Sequence, residues 1–307
     1  MKIVSFSTQH TAPHPGFLIG DDVVPADAIL GAGAPASVPD LLVAWDDVRA
    51  QVTRAIDGGD VDRLPRREVR LHAPLRPGAT VLCVGGNYRT HLEEMGEAAP
   101  ERAPSFLKAP SAVVGPEDPI LLPAEFPDMV DFEGELCVVF GRECFGVGAD
   151  EAMDYVAGYT ILNDVSARDG LAAMLGAATA FDGRWSVIEM IKGKQLPSFA
   201  PVGPAILTAD EVPDPRALRL TTRVNGELMQ DATLADLIVG IPQLIEEMSR
   251  YYSFAPGDVM STGTPAGVGA ARTPPRYLRA GDELVIEVAG IGALTNPIVP
   301  AAVPVAG

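Results

Sequence analysis

The 307-residue sequence predicts an α+β fold that is mainly β. Three observations predict it. Apolar, β-prone runs of strand length recur along the chain, punctuated by glycine or proline. The 28 prolines and 31 glycines are scattered, as in a loop-rich sheet protein, and do not gather in a disordered tail. Helical spacing of apolar residues is confined to a few segments. With 47% hydrophobic and 21% charged residues the composition is globular, and the length suits one large domain or two unequal ones.

The charge balance narrows the partners. Acidic residues number 41 against 23 basic ones, a formal net charge of −18 that argues against nucleic acid and anionic membranes. It leaves room for small anionic substrates, because one divalent ion or lysine reverses the field locally. No apolar run approaches the roughly 18–20 residues of a membrane helix. Residues 1–6 enter a strand pattern without a signal-peptide layout. Cys83, Cys137 and Cys144 form no CxxC pair and are mostly flanked by apolar residues, which predicts reduced core thiols in a cytoplasmic protein.

Residues 1–75 read as a small N-terminal domain and 76–307 as the main one, with Pro74 and Pro77-Gly78 at the boundary. Short strands are expected at 2–7 and 16–19. A helix is expected over 38–56, where Leu41, Leu42, Trp45, Val48, Val52 and Ala55 recur at helical spacing until Gly58-Gly59 stops it. The run 80–84 has strand length. Beyond Gly85-Gly86-Asn87-Tyr88, Thr90 and Glu93 have capping-box spacing, so a short helix is expected from Thr90 to the stop at Gly96. His91 and Glu94 would share one side of it. The first turn of a helix favours a neutral, basic imidazole. A solvated surface turn fits the same residues.

The segment Asp131-Phe132-Glu133-Gly134-Glu135-Leu136-Cys137-Val138-Val139-Phe140 is acidic at its start and apolar after it. On a strand, Glu133 and Glu135 share a face with Cys137 and Val139. Two carboxylates this close repel unless a cation or a proton lies between them. A strand end that surfaces, with both acids solvated, satisfies the local sequence equally.

Further along, 150–155 reads as helical and 156–162 as a strand leading into Asn163-Asp164-Val165-Ser166-Ala167-Arg168-Asp169. Asp164 is a third acid closing a buried-looking run; a helix N-cap or a partner for Arg168 would explain it as well. A small-residue stretch, 170–183, precedes Lys192 and Lys194, and the apolar turn at 199–204 would draw those lysines inward. Strands at 218–224 and 227–230 flank Asn225-Gly226, a strong hairpin signal. A helix is expected over 234–252, and a strand at 259 opens into a glycine-rich loop, 263–269. That loop lacks the Gly-Lys-Ser/Thr ending of a P-loop, although its amides and threonines suit a carboxylate. The last strands are expected at 283–288 and 298–303.

In this order, several segments resemble the fumarylacetoacetate hydrolase family. They are Val84-Gly85-Gly86-Asn87-Tyr88-Arg89-Thr90-His91, Phe106-Leu107-Lys108-Ala109-Pro110-Ser111-Ala112, Asp131-Phe132-Glu133-Gly134-Glu135-Leu136, the Asn163–Asp169 segment quoted above, Gly193-Lys194, Pro201-Val202-Gly203-Pro204 and Thr262-Gly263-Thr264-Pro265. The resemblance implies a mixed β-sandwich roll with flanking helices, assembled as a homodimer. It implies a divalent ion on Glu133, Glu135 and Asp164, where oxygen ligands suit Mg²⁺ or Mn²⁺ and also admit Ca²⁺. It implies a 2-oxo acid substrate, a small anion, whose enolate the ion stabilises when a C–C bond breaks. His91, oriented by Glu94, would activate water; Lys194 would offer positive charge; Arg168 and Thr264, with Lys194, would contact substrate. The expected activity is hydrolysis of a 2,4-diketo acid. Oxaloacetate-type decarboxylation or hydroxymuconate-type isomerisation on the same site is the alternative, and a non-catalytic binding protein the third reading. Three departures fall where the family sets specificity: Leu171 in place of a glutamine, a longer span from Asp164 to Lys194 carrying Phe181-Asp182-Gly183-Arg184-Trp185, and Gln195-Leu196-Pro197 after the lysine.

Overall fold

The computed structural model describes residues 1–59, 61–170 and 176–301. Among these residues strands dominate, and five helices flank them: α1 (Ala26–Leu30), α2 (Val38–Gly58), α3 (Arg89–Met95), α4 (Ala180–Lys192) and α5 (Ile241–Met248). This is the α+β, mainly β architecture expected. Helix α2 forms as its periodicity predicts. Ser37 caps it by accepting the Asp40 N–H at 3.3 Å, Leu41, Leu42, Trp45 and Val52 turn inward, and Gly59 closes it at φ 72°.

A large mixed sheet carries the core. Its order is Leu64–Pro65, Asp22–Pro25, His14–Ile19, Lys2–Ser7, Ala200–Thr208, Val156–Asn163, Gly134–Phe140, Val259–Ser261, Val81–Val84 and Ser105–Leu107. Lys2 and Ile3 pair with Leu207 and Ile206, so the N-terminal strand continues this sheet. A second sheet of five strands, Glu227–Thr233, Arg219–Val224, Glu283–Val288, Gly292–Pro300 and Ile120–Leu122, packs against it. Its hairpin turns at Asn225 (φ 53°) and Gly226 (φ 80°), the two left-handed residues a tight hairpin turn requires.

Several local expectations are corrected. Residues 234–252 are not one helix: a single turn, Leu234–Asp236, is followed by a break and then α5. Pro242 lacks an N–H and is tolerated only in a first turn, so the helix starts anew after Gly240. The capping box at Thr90 does not form. Helix α3 begins at Arg89, and Thr90 instead gives its amide and hydroxyl to Asp236, at 3.1 and 2.5 Å. The helix expected at 150–155 is one 3₁₀ turn, Ala152–Tyr155. Within 170–183, α4 begins at Ala180 under a Thr179 cap that accepts the Asp182 N–H at 3.1 Å. Leu171 and the end of the expected strand 298–303 lie outside the described residues.

Candidate metal centre and active site

Register places the site. Gly134 pairs with Asn163, Cys137 with Ser261, and Val81–Val84 runs parallel to Val259–Ser261. The start of Gly134–Phe140 therefore lies beside the ends of three neighbouring strands, and one sheet edge collects Glu133, Asp164 and the loops after Val84 and Ser261. The Asp164 amide donates to the Glu133 carbonyl at 2.9 Å, locking the two acids side by side. Gly134 faces the other way. A Cβ there would run into the Thr222 hydroxyl of the second sheet, so only glycine lets the two sheets close while its glutamate neighbours point into the site.

The expected acids are buried: Glu133 is 6% exposed, Glu135 1% and Asp164 2%. Glu133 is gripped by two cations. Arg168 bonds one oxygen, and Lys194 Nζ reaches the other at 2.8 Å. Burial works to raise its carboxyl, but Arg168 and Lys194 outweigh it and hold the group well below the usual carboxylate range. Lys194 Nζ also donates to Asp164 at 2.7 Å and to Ser166 Oγ at 2.6 Å. Burial opposes charge on this lysine, yet Asp164 and Glu133 overcome it and keep the pKa above the ordinary lysine value. Glu135 has the opposite surroundings. Burial, then Asp164 and Glu133, push its carboxyl well above the usual range.

Two carboxylate oxygens in this dry region, Glu135 Oε2 and Asp164 Oδ1, accept no hydrogen bond among the described residues. The Asp164 case has a clear cause. Lys108 lies against Oδ1, but its three protons go to the carbonyls of Val165 at 3.0 Å, Lys194 at 2.7 Å and Phe199 at 2.8 Å. Asp164 thus has a lysine against each oxygen, whereas Glu135 Oε2 is an uncompensated buried oxygen, which is costly, and beside Asp164 it offers oxygen donors to a hard cation. The residues present thus fit a divalent ion. Among the described residues one atom each of Cys83, Glu135 and Asp164 lie within 4.8 Å of one another, a group that could hold an ion. Both oxygens of Glu133 are engaged by Arg168 and Lys194, so the three carboxylates are brought together with Glu133 turned toward its cations.

The rim is looser. His91 and Glu94 share one side of α3 as expected, with Nδ1 and Oε2 3.6 Å apart and side chains 15% and 23% exposed. Among the described residues His91 Nδ1 has no hydrogen-bond partner. Both Glu94 oxygens instead accept the Gly267 amide at 3.0 Å, which ties α3 to the glycine-rich loop. The three residues expected to contact substrate are committed within the protein, Lys194 as described above. Arg168 bridges Glu133 and Asp131, bonding the latter at 3.0 Å through Nε. The Thr264 hydroxyl donates to the Gly134 carbonyl at 3.1 Å and accepts from Gln230 at 2.8 Å.

Four residues gained no role from the sequence. Lys108 staples three backbone segments beneath Asp164. Asp131, fully buried, accepts the amides of Gly269 at 2.7 Å and Ala270 at 3.1 Å besides Arg168. Gln230 reaches in from the second sheet to accept the Gly134 amide at 3.0 Å. Cys83 joins the donor cluster although it reads as a plain core thiol. The departure at Gln195 also finds its use. Its side chain accepts the Ala109 amide and donates to the Leu107 carbonyl, both at 2.6 Å, and so brackets Lys108.

Residues 80–299 match the model described as fumarylacetoacetate (FAA) hydrolase, C-terminal. The mitochondrial oxaloacetate tautomerase FAHD2B of Bos taurus is 37% identical over 302 residues, covering 97% of this chain and 92% of the relative. The oxaloacetate tautomerase YisK of Bacillus subtilis is 40% identical over 234 residues, 75% of this chain and 73% of the relative. Among solved structures, maleylpyruvate hydrolase from Sphingobium sp. SYK-6, in complex with manganese (II) ion and pyruvate, superposes with a TM-score of 0.78 at 28% identity, covering 98% of this chain and all of that one. With a matched model over most of its length and full-length relatives above a third identical, the chain belongs to the fumarylacetoacetate hydrolase family.

Proposed function

We propose that this chain is a divalent-metal enzyme that interconverts the keto and enol forms of oxaloacetate or a closely similar 2-oxo diacid. Decarboxylation of the same acid is the second reading, and hydrolysis of a 2,4-diketo acid, the first expectation, falls behind both. The relatives named as oxaloacetate tautomerases support this order.

The observation that carries it is the state of His91. A water-activating dyad has its base oriented by a hydrogen-bonded partner, a contact that tightens when substrate binds. Here the separation is 3.6 Å and Glu94 is held by Gly267. A proton carrier between carbon and oxygen needs only one imidazole, and among the described residues His91 Nδ1 has no hydrogen-bond partner.

Glu133, Glu135 and Asp164 would hold the ion, and their oxygens suit Mg²⁺ or Mn²⁺. When bound, such an ion supplies Lewis-acid polarisation of the substrate's 2-oxo group. Lys194, kept charged between Glu133 and Asp164, offsets the negative charge of the incoming acid. His91 takes a proton from C3 and returns it at the C2 oxygen, and the reverse transfer restores the ketone. The Gly267–Glu94 bond sets where α3, and with it His91, stands over the site.

The test follows enol-oxaloacetate by ultraviolet absorbance with Mn²⁺ or Mg²⁺, while pyruvate is assayed separately from oxaloacetate and from acetylpyruvate. Faster tautomerisation without pyruvate, abolished by EDTA and by His91→Ala, is the expected result. Pyruvate from oxaloacetate would move the assignment to decarboxylase. Cleavage of acetylpyruvate alone would return it to hydrolase.

A further inference from the structure

Cys83 is the third residue of Val81–Val84, fully buried, and no step of the proton transfer uses it. Its sulfur shares one cluster with ligand oxygens of Glu135 and Asp164. Glu135 also carries a buried oxygen, Oε2, that accepts no hydrogen bond among the described residues, while Asp164 keeps Lys108 and Lys194 against its two oxygens. A soft sulfur donor beside such carboxylates discriminates among ions. Mg²⁺ and Mn²⁺ gain little from sulfur, whereas Zn²⁺, Cd²⁺ and Co²⁺ gain a strong bond.

We propose that Cys83, Glu135 and Asp164 form a softer seat within the site, which takes a thiophilic divalent ion such as Zn²⁺ or Cd²⁺ and makes it an inhibitor. The inference rests on the metal reading given above. As the ion binds, the S–H bond breaks, its electron pair stays on sulfur to form the sulfur–metal bond, and the proton leaves to the buffer. Glu133 remains with Arg168 and Lys194, so an ion in this seat lacks the third carboxylate. A 2-oxo acid then meets an ion that is tightly held and out of its working place.

Co²⁺ serves as the spectroscopic probe. Titrated into the wild-type protein, it should raise an intense near-ultraviolet sulfur-to-cobalt charge-transfer band, with release of a proton. Cys83→Ser should lose that band and Cys137→Ser should keep it. X-ray absorption at the zinc edge reads a sulfur neighbour in the wild type directly, and so decides the matter even if Cys83→Ser fails to fold. A wild-type protein with neither the cobalt band nor a zinc–sulfur distance overturns the inference. Mn²⁺ binding, followed by electron paramagnetic resonance, separates two failures: bound Mn²⁺ without sulfur ligation sinks the soft seat alone, and absent Mn²⁺ binding sinks the metal reading with it.

Discussion

The carboxylate floor and the α3 rim lie close together and are built on opposite plans. On the floor, Glu133, Asp164, Lys108, Arg168 and Lys194 are almost wholly buried, and each of the three cations has at least two partners. On the rim, His91 and Glu94 ride a seven-residue helix stopped by Gly96, partly exposed, with a gap between them. Charge that must stand ready before substrate arrives benefits from a rigid, dry setting. A group that must reach a proton and give it back benefits from freedom to shift. The molecule separates the two demands by placing one on strand ends and the other on a short helix.

The largest expected effect breaks or upholds that division directly. Glu135→Ala should cost more than about 10⁴-fold in kcat/KM, since a lost polarising ion forfeits several kcal/mol, and Mn²⁺ binding should fall with it. His91→Ala should cost about 10²–10⁴-fold in kcat and leave Mn²⁺ binding unchanged. If His91→Ala also abolished Mn²⁺ binding, floor and rim would be one unit. Next in size is Arg168→Met, which leaves Asp131 and Glu133 buried without their shared cation. It should lower stability by about 3–5 kcal/mol, read from the urea midpoint, and a loss below about 1 kcal/mol would show that the floor is held in another way.

The smallest effect concerns pH. The folded pKa of Glu135 is raised, first by burial and then by Asp164 and Glu133. In metal-free protein the proton on Glu135 therefore contributes stability that is full below the ordinary carboxylate range and is lost as pH rises through the raised value. A divalent ion takes the place of that proton. Stabilisation by Mn²⁺, about 2.7 kcal/mol at 100 times its Kd, should grow as pH rises from the ordinary carboxylate range through the raised value of Glu135. A gain in thermal midpoint that is flat with pH would mean that ion and proton do not compete for Glu135.

How much of this was legible depends on the range of the contacts. The two-residue period of a strand, read off Glu133-Gly134-Glu135, already aimed both acids one way, and Asn225-Gly226 specified its own turn. Asp164 was recognisable as an acid closing an apolar run. Lys108 was not, because nothing local to Leu107-Lys108-Ala109 says that its protons end on carbonyls 57, 86 and 91 residues away. The same holds for Arg168, whose partners lie 37 and 35 residues back. Whether Glu133 looks toward a metal or toward Arg168, and whether Cys83 is core or ligand, depends on side-chain directions that only closure of the sheet decides. The break before α5 was readable in Gly240-Ile241-Pro242, but a long apolar periodicity across it outweighed that signal.

The pairing of Lys2 and Ile3 with Leu207 and Ile206 has a consequence for how the chain emerges during synthesis. Strand Lys2–Ser7 finds local companions early, His14–Ile19 on one side and Arg70–His72 along part of the other. The remaining stretch of edge stays open until Ala200–Thr208 has left the ribosome. At about 5–20 residues per second that wait is roughly 10–40 s. During it the nascent chain presents an unpaired edge at Lys2 and Ile3, the kind that recruits a neighbouring copy. A strand made well before Ala200–Thr208 is thus completed only with it, and the yield of folded protein should depend on how crowded the translating messages are.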